Sequence, residues 1–200
     1  MIKNIGDMML SKQGKEFIID DNNRSILKFL LLYFEGYKEC EDVIEGMDVT
    51  KQLLICGDKG TGKTLLGLIF GEYLNITESK RAYKNVSVTQ MMNHYKINNN
   101  LDAYTYNEIG SKKFDGNPYN IFLNDLGMVT HKHFGTDTGI LIEDFMHARN
   151  EIYTQQGGMC HLTTNLSPTE LGSLFDDKYG RLKDRLKTYN IIVMTGESKR

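Results

Sequence analysis

Short apolar runs alternate with helical periodicities along most of this chain. Residues 52–56, Gln-Leu-Leu-Ile-Cys, lack polar alternation, as a strand buried on both faces requires, and 64–74 continues with helical spacing. Val86-Ser87-Val88 predicts a short strand, with a helix after it over 90–95. The run YNIFL at 119–123 predicts another buried strand, 139–155 an amphipathic helix and 159–163 a further strand. Residues 168–174 and 178–187 read as helical, and 190–194 as the last strand. Upstream, 22–37 carries an apolar face through Ile26, Phe29, Leu30 and Phe34, with Asn22 or Asn23 as its cap and Gly36 as its stop. Residues 1–20 are mixed and weakly periodic, and 98–118 is polar, rich in Asn and Tyr, without a regular period. Strands alternating with helices, several of them apolar on both faces, predict an α/β domain of three layers with a parallel five-stranded sheet. Residues 1–50 are expected to be a lead-in with one helix packed on a core spanning 51–200, a single domain overall.

Composition narrows the class. Two hundred residues, 40% of them hydrophobic, suffice for one sizeable core. No apolar run reaches the length of a membrane span, and the first residues lack the layout of a secretory leader. Cys40, Cys56 and Cys160 are isolated and not at metal-ligand spacing. They predict free thiols in a reducing cytoplasm, and the lack of a long apolar run predicts no membrane partner. The net charge of −2 provides no global field for nucleic acid, so any such contact must come from a local patch.

Between the strand at 52–56 and the helix at 64–74 lies Gly57-Asp58-Lys59-Gly60-Thr61-Gly62-Lys63-Thr64, which satisfies G-x-x-x-x-G-K-[ST]. The glycines let the backbone curl so that successive amides converge on phosphate oxygens, and the positive end of the following helix adds to the attraction. Lys63 is expected to reach the β- and γ-phosphates and the Thr64 hydroxyl to ligate Mg²⁺. With Leu65 these residues form the expected ATP-binding set. An accidental Gly-rich turn would not come with a strand before it and a helix after it.

A P-loop ATPase also needs a carboxylate at the end of a neighbouring strand, for the metal shell or the attacking water. The candidate is Ile121-Phe122-Leu123-Asn124-Asp125-Leu126-Gly127, which holds one carboxylate. Either Asp125 holds the metal shell, or Asn124 takes that place and Asp125 serves as the base. Asn accepts a hydrogen bond from a metal-bound water but brings no charge, so slow hydrolysis is expected. Binding should survive.

Downstream stand Cys160-His161-Leu162-Thr163-Thr164-Asn165-Leu166, then Ser167-Pro168-Thr169-Glu170-Leu171, then Tyr179-Gly180-Arg181-Leu182-Lys183-Asp184-Arg185-Leu186, and finally 194–200, MTGESKR. In this order, from about Phe17 to Arg200, the chain resembles the AAA+ ATPases of the DnaC/DnaI helicase-loader and IstB transposition group. The resemblance implies that Asn165 is the sensor residue that positions water against the γ-phosphate. It implies that Arg185 is an arginine finger reaching a neighbouring subunit's nucleotide, assisted by Arg181, and that Arg200 senses nucleotide. Arg149 falls where the group often carries a basic residue. In the same register Asp125 is the hydrolytic acid and Asn124 replaces the metal-shell aspartate. The plain alternative for Arg181, Lys183, Arg185 and Lys187 is a solvated basic helix face.

The resemblance further implies action in DNA replication as a loader or accessory factor, with a replicative helicase as partner and homo-oligomers when ATP is bound. The alternatives are an IstB-like transposition ATPase with a transposase partner, and a nucleotide-gated binding module with little hydrolysis. No C-terminal lid is expected, as in the DnaC group, and no room for a helicase-binding domain before residue 57, which with the small size fits a phage or mobile-element origin. Single-stranded DNA contact is expected of the region holding Lys80, Arg81, Lys84, Lys96, Lys112 and Lys113, interleaved with Tyr83, Tyr95, Tyr104 and Tyr106. His131-Lys132-His133 lacks a Cys or carboxylate at ligand spacing and reads as a solvated loop.

Overall fold

The computed structural model describes residues 1–109, 116–127, 132–133, 136–167, 169–171 and 184–196. Five parallel strands form its centre: β1 (Gln52–Gly57), β2 (Lys84–Ser87), β3 (Ile121–Leu126), β6 (Cys160–Thr164) and β7 (Tyr189–Met194). Their order across the sheet is β2-β3-β6-β1-β7. A two-residue antiparallel pair, β4 (Lys132–His133) and β5 (Thr136–Asp137), precedes helix α5 (Thr138–Gln156). The remaining helices are α1 (Ile2–Ser11), α2 (Asp21–Glu35), α3 (Lys63–Ile76) and α4 (Val88–Asn98).

Strand alternation sorts side chains between two cores. Leu53 and Ile55 of β1, Phe122 of β3 and Ile192 and Met194 of β7 pack with Phe29, Leu30 and Phe34 of α2 and Leu66, Ile69 and Phe70 of α3. On the opposite face Leu54, Ile121, Leu123 and Leu162 meet Met91 and Met92 of α4 and Phe145 and Met146 of α5. The result is the expected three-layer α/β architecture. Helix α3 lies close to the sheet because Gly67 and Gly71 face it. A Cβ on Gly67 would sit 2.6 Å from the Phe122 ring, and one on Gly71 would sit 2.5 Å from the Asn85 amide nitrogen.

Several boundaries differ from the sequence pattern. The lead-in holds two α-helices where one is expected. The first, α1, carries an apolar side through Ile2, Ile5 and Met9, and its Gly6 is where the Phe17 ring approaches, 2.5 Å from a would-be Cβ. Asp20, not Asn22 or Asn23, caps α2. Its carboxylate accepts from the Asn22 and Asn23 amides, while Asn23 Oδ1 accepts from the Asp20 amide in return. Gly36 ends α2 in the left-handed conformation, as the sequence suggests. Val88 belongs to α4, because Ser87 and Gln90 form a capping box that stops β2 one residue earlier. Ile5 and Phe17 share a core with β1 and α3, so the lead-in is continuous with the rest. The three cysteines are free and buried.

Candidate nucleotide site

The phosphate loop begins where β1 ends. Gly57 has φ 127°, and the next amide, Asp58, donates to the Met194 carbonyl of β7 at 3.2 Å. A Cβ on Gly57 would lie 2.0 Å from that oxygen, so only glycine keeps the two strands paired as the chain turns. Gly60 and Gly62 also have positive φ, 86° and 96°, and α3 starts from Gly62. Positive-φ residues interleaved with ordinary ones turn successive N–H groups to one side, the backbone form that binds anions. Lys63 is 5% exposed. Its ammonium donates to the carbonyls of Gly57 (2.8 Å) and Asp58 (2.6 Å) and to Thr61 Oγ1 (3.5 Å). Thr61 also donates to the Asp58 carbonyl at 2.9 Å, which braces the curl. Burial pushes the thiol of Cys56 up, so it stays neutral next to that ammonium.

Asp125 belongs to β3, with β6 lying between it and the loop. Two strand spacings separate them by roughly 10 Å, room for a phosphate, a cation and its water. The register between β3 and β6 shifts between Leu123 and Leu126, and Asp125 sits in that bulge at φ 64°. A bulge re-aims a side chain at the end of a strand, and Asp tolerates the left-handed region better than most residues. Asn124 has the strand parity of Phe122, which packs on α3, so it faces the helix whose first turn holds Lys63 and Thr64. Asn124 is 4% exposed, and both ends of its carboxamide are engaged. Nδ2 donates to the Val86 carbonyl at 3.5 Å, and Oδ1 accepts from the Thr163 hydroxyl at 3.3 Å. Thr163 Oγ1 in turn accepts from the Asp125 amide at 3.1 Å, tying β6 to the bulge.

Asn165 follows the last residue of β6 and is half-buried. Thr164 fixes its place. The Thr164 hydroxyl donates to the Leu126 carbonyl at 2.7 Å and accepts from the Leu166 amide at 3.1 Å, so Asn165 is carried beside the end of β3. Ser167 and Glu170 then cap the next turn, and those hydrogen bonds lower the Glu170 carboxyl below its ordinary range. The fold thus gathers 57–65, Asn124, Asp125 and Asn165 at one end of the sheet. A hydroxyl at Thr64 and a carboxylate at Asp125 suit a hard cation such as Mg²⁺, with water completing its shell.

No family model matches this sequence, and no curated protein does. Solved structures do. Domain III of the Thermotoga maritima replication initiation protein DnaA aligns with TM-score 0.57 at 19% identity, over 89% of this chain and 64% of that one. AMPPCP-bound DnaA from Aquifex aeolicus aligns with TM-score 0.54 at 19% identity, over 89% of this chain and 48% of that one. The chain shares the fold of these two DnaA structures. A proposed primosome component from Streptococcus pyogenes serotype M3 shares it, with TM-score 0.55 at 16% identity over 92% of this chain and 85% of that one. The chain spans about half of the Aquifex protein and under two thirds of the Thermotoga one.

In this fold the expected arginines scatter. Arg185 lies four residues before Tyr189, which pairs with Gln52 at the start of β1, so it sits at the end of the sheet away from the loop. The five residue steps from Gln52 to Gly57 alone amount to roughly 16 Å. Its Nη1 meets Nδ1 of His147 on α5. Arg149 is 1% exposed and donates from Nη2 to the Met159 carbonyl at 2.7 Å, just before β6, also far from the loop. Arg181 and Arg200 lie outside the described residues, as do Lys112, Lys113 and His131. Of the expected DNA-contact set, Tyr83 is a core residue donating to the Gly67 carbonyl at 2.8 Å. Arg81 caps the Tyr33 ring and donates to the Tyr33 carbonyl at 2.6 Å. Lys84 lies over the Tyr119 ring at 3.3 Å. Sequence reasoning gave no role to Thr163, although a hydroxyl inside an apolar strand was the available signal. Among the described residues no helix is long and apolar enough to cross a membrane.

Proposed function

We propose that this protein binds ATP with Mg²⁺ at the loop 57–65 and works as a nucleotide-dependent AAA+ factor in DNA replication, in the manner of a helicase loader. The observation that carries the reading is the loop itself, with its three positive-φ glycines, the buried Lys63 ammonium and a carboxylate two strands away. In the proposed complex the loop amides and Lys63 hold the phosphates, and Thr64 and Asp125 hold the cation and its water. Mg²⁺ would neutralise charge shared between the β- and γ-phosphates. Where Asn124 takes the place at the metal shell, Asp125 would instead accept a proton from, or orient, the attacking water, and Asn165 would fix that water's position.

Arg185 would serve a neighbouring copy. Its distance from its own loop supports action across an interface, and with it a homo-oligomer formed on ATP. Replicative helicase and single-stranded DNA are the proposed partners; they rest on the resemblance of the sequence to helicase loaders, while the structural neighbours, named for replication initiation and a primosome, support a replication setting. A second reading, a nucleotide-gated binding module that seldom hydrolyses, is favoured by one observation. Asn124 spends its carboxamide on Val86 and Thr163 and brings no charge to the metal shell.

Calorimetry with ATP and Mg²⁺ tests the core claim. Micromolar to submillimolar association is expected for the wild type and none for Lys63→Ala at millimolar ATP. A wild type without measurable heat at that concentration ends the proposal.

A further inference from the structure

Arg185 is held by a neighbour that the reading above leaves unused. It lies on the turn before β7, where its own carbonyl accepts from the Thr188 hydroxyl at 2.7 Å, fixing the backbone but not the long side chain. An arginine stem has about 2 kcal/mol of rotamer entropy to lose, so a finger that must meet a phosphate gains from an anchor. The anchor is His147. A guanidinium donates and never accepts, so a contact between Arg185 Nη1 and His147 Nδ1 requires a lone pair on Nδ1. That assigns the neutral ring with its proton on Nε2. Glu143, one turn earlier on α5, places Oε1 3.6 Å from that Nε2, where a carboxylate favours the same tautomer. Carboxylate, imidazole and guanidinium therefore stand in one row, with the hydrogen bond between His147 and Arg185 and the Glu143 carboxylate 3.6 Å behind the ring.

We propose that His147 is the positioning residue of Arg185. Its imidazole, with the Glu143 carboxylate behind it, receives one of the five guanidinium N–H groups at Nδ1 and aims the side chain at the neighbouring subunit's phosphates. The inference rests on Arg185 acting as the finger, but its geometric half stands apart from that. His147 does not touch nucleotide in this scheme; it acts through the arginine.

Two measurements decide it. Nitrogen-15 NMR of the imidazole, with His147 assigned by its loss in His147→Leu, should show the Nε2–H tautomer in the wild-type protein. Arg185→Ala should shift the Nδ1 resonance. An Nδ1–H tautomer, or no response to Arg185→Ala, overturns the contact whatever the arginine does. Steady-state ATP hydrolysis then tests the consequence. His147→Leu should lower kcat about tenfold with KM for ATP unchanged, as lost orientation does. His147→Asn, whose Oδ1 also accepts, should recover most of it. Equal loss in the Leu and Asn variants would overturn the acceptor role, and wild-type kcat in His147→Leu beside an inactive Arg185→Ala would leave the finger without this anchor. Full activity in Arg185→Ala would remove the finger itself, and the tautomer result would still stand.

Discussion

Asn124 shows how one side chain sets the chemistry of its neighbours. Its carboxamide donates to Val86 and accepts from Thr163, which leaves Thr163 to hold the Asp125 amide in the bulge. Replacing it with aspartate has two opposed effects. The added charge should strengthen the metal shell and raise ATP turnover. The lost N–H should leave the Val86 carbonyl facing a carboxylate oxygen, lowering stability by ~1–3 kcal/mol. A steady-state assay and a urea melt on Asn124→Asp read both, and unchanged turnover would remove Asn124 from the site. His161 is the other residue with a measurable signature. It is fully enclosed by Tyr33, Phe34, Tyr83 and Phe122, and its Nδ1 accepts from the Leu53 amide at 3.1 Å. Burial, helped by Arg81 and Arg149, pushes its pKa down to about 3. The folded ring thus stays neutral while the unfolded one takes up a proton below about 6.5. More protons in the unfolded state means stability rises with pH, so this contribution is complete above about 6.5. It falls by up to ~1.4 kcal/mol per unit as pH drops toward 3. Urea melts between pH 7 and 5 should show that slope, reduced in His161→Phe; an identical slope in the variant would assign it elsewhere.

At the scale of elements, close approach explains what composition alone leaves arbitrary. Gly67 and Gly71 are poor helix formers, yet they face the sheet where Phe122 and Asn85 press in. Gly67→Ala should destabilise by ~1–2 kcal/mol, since the 2.6 Å clash with Phe122 outweighs the gain in helix propensity. An equal or raised melting temperature would show that the helix can move away. Helix α3 and strand β1 were legible because an apolar run, a glycine-rich turn and a helical period follow one another. Helix α1 was not, although Ile2, Ile5 and Met9 line one side of it, because Gly6, a poor helix former, stands inside it for the approach of Phe17. The end of β2 shows the same limit: Val86-Ser87-Val88 has strand composition, but the Ser87 and Gln90 cap turns Val88 into a helix.

At the scale of the whole molecule, the parallel sheet sets what can act together. All five strands run the same way, so 57–65, Asp125 and Asn165 meet at their C-terminal ends, while Arg185 enters from the other end. If Arg185 serves a neighbour, mixing Arg185→Ala with Lys63→Ala subunits should restore part of the ATP hydrolysis that neither has alone. Mixtures as inactive as their components would count against an intersubunit site. The sequence by itself determined the α/β class, the loop 57–64 and the lone carboxylate at Asp125, because each is written in contiguous residues whose local geometry carries the chemistry. Only the tertiary structure decided that Thr163 bridges Asn124 to Asp125, that Arg81 lies over the Tyr33 ring, that Tyr83 packs on Phe34 and Phe122, and that His147 meets Arg185. Those pairings join residues 38 or more positions apart, and the order in which strands pair, not any local pattern, brings them together.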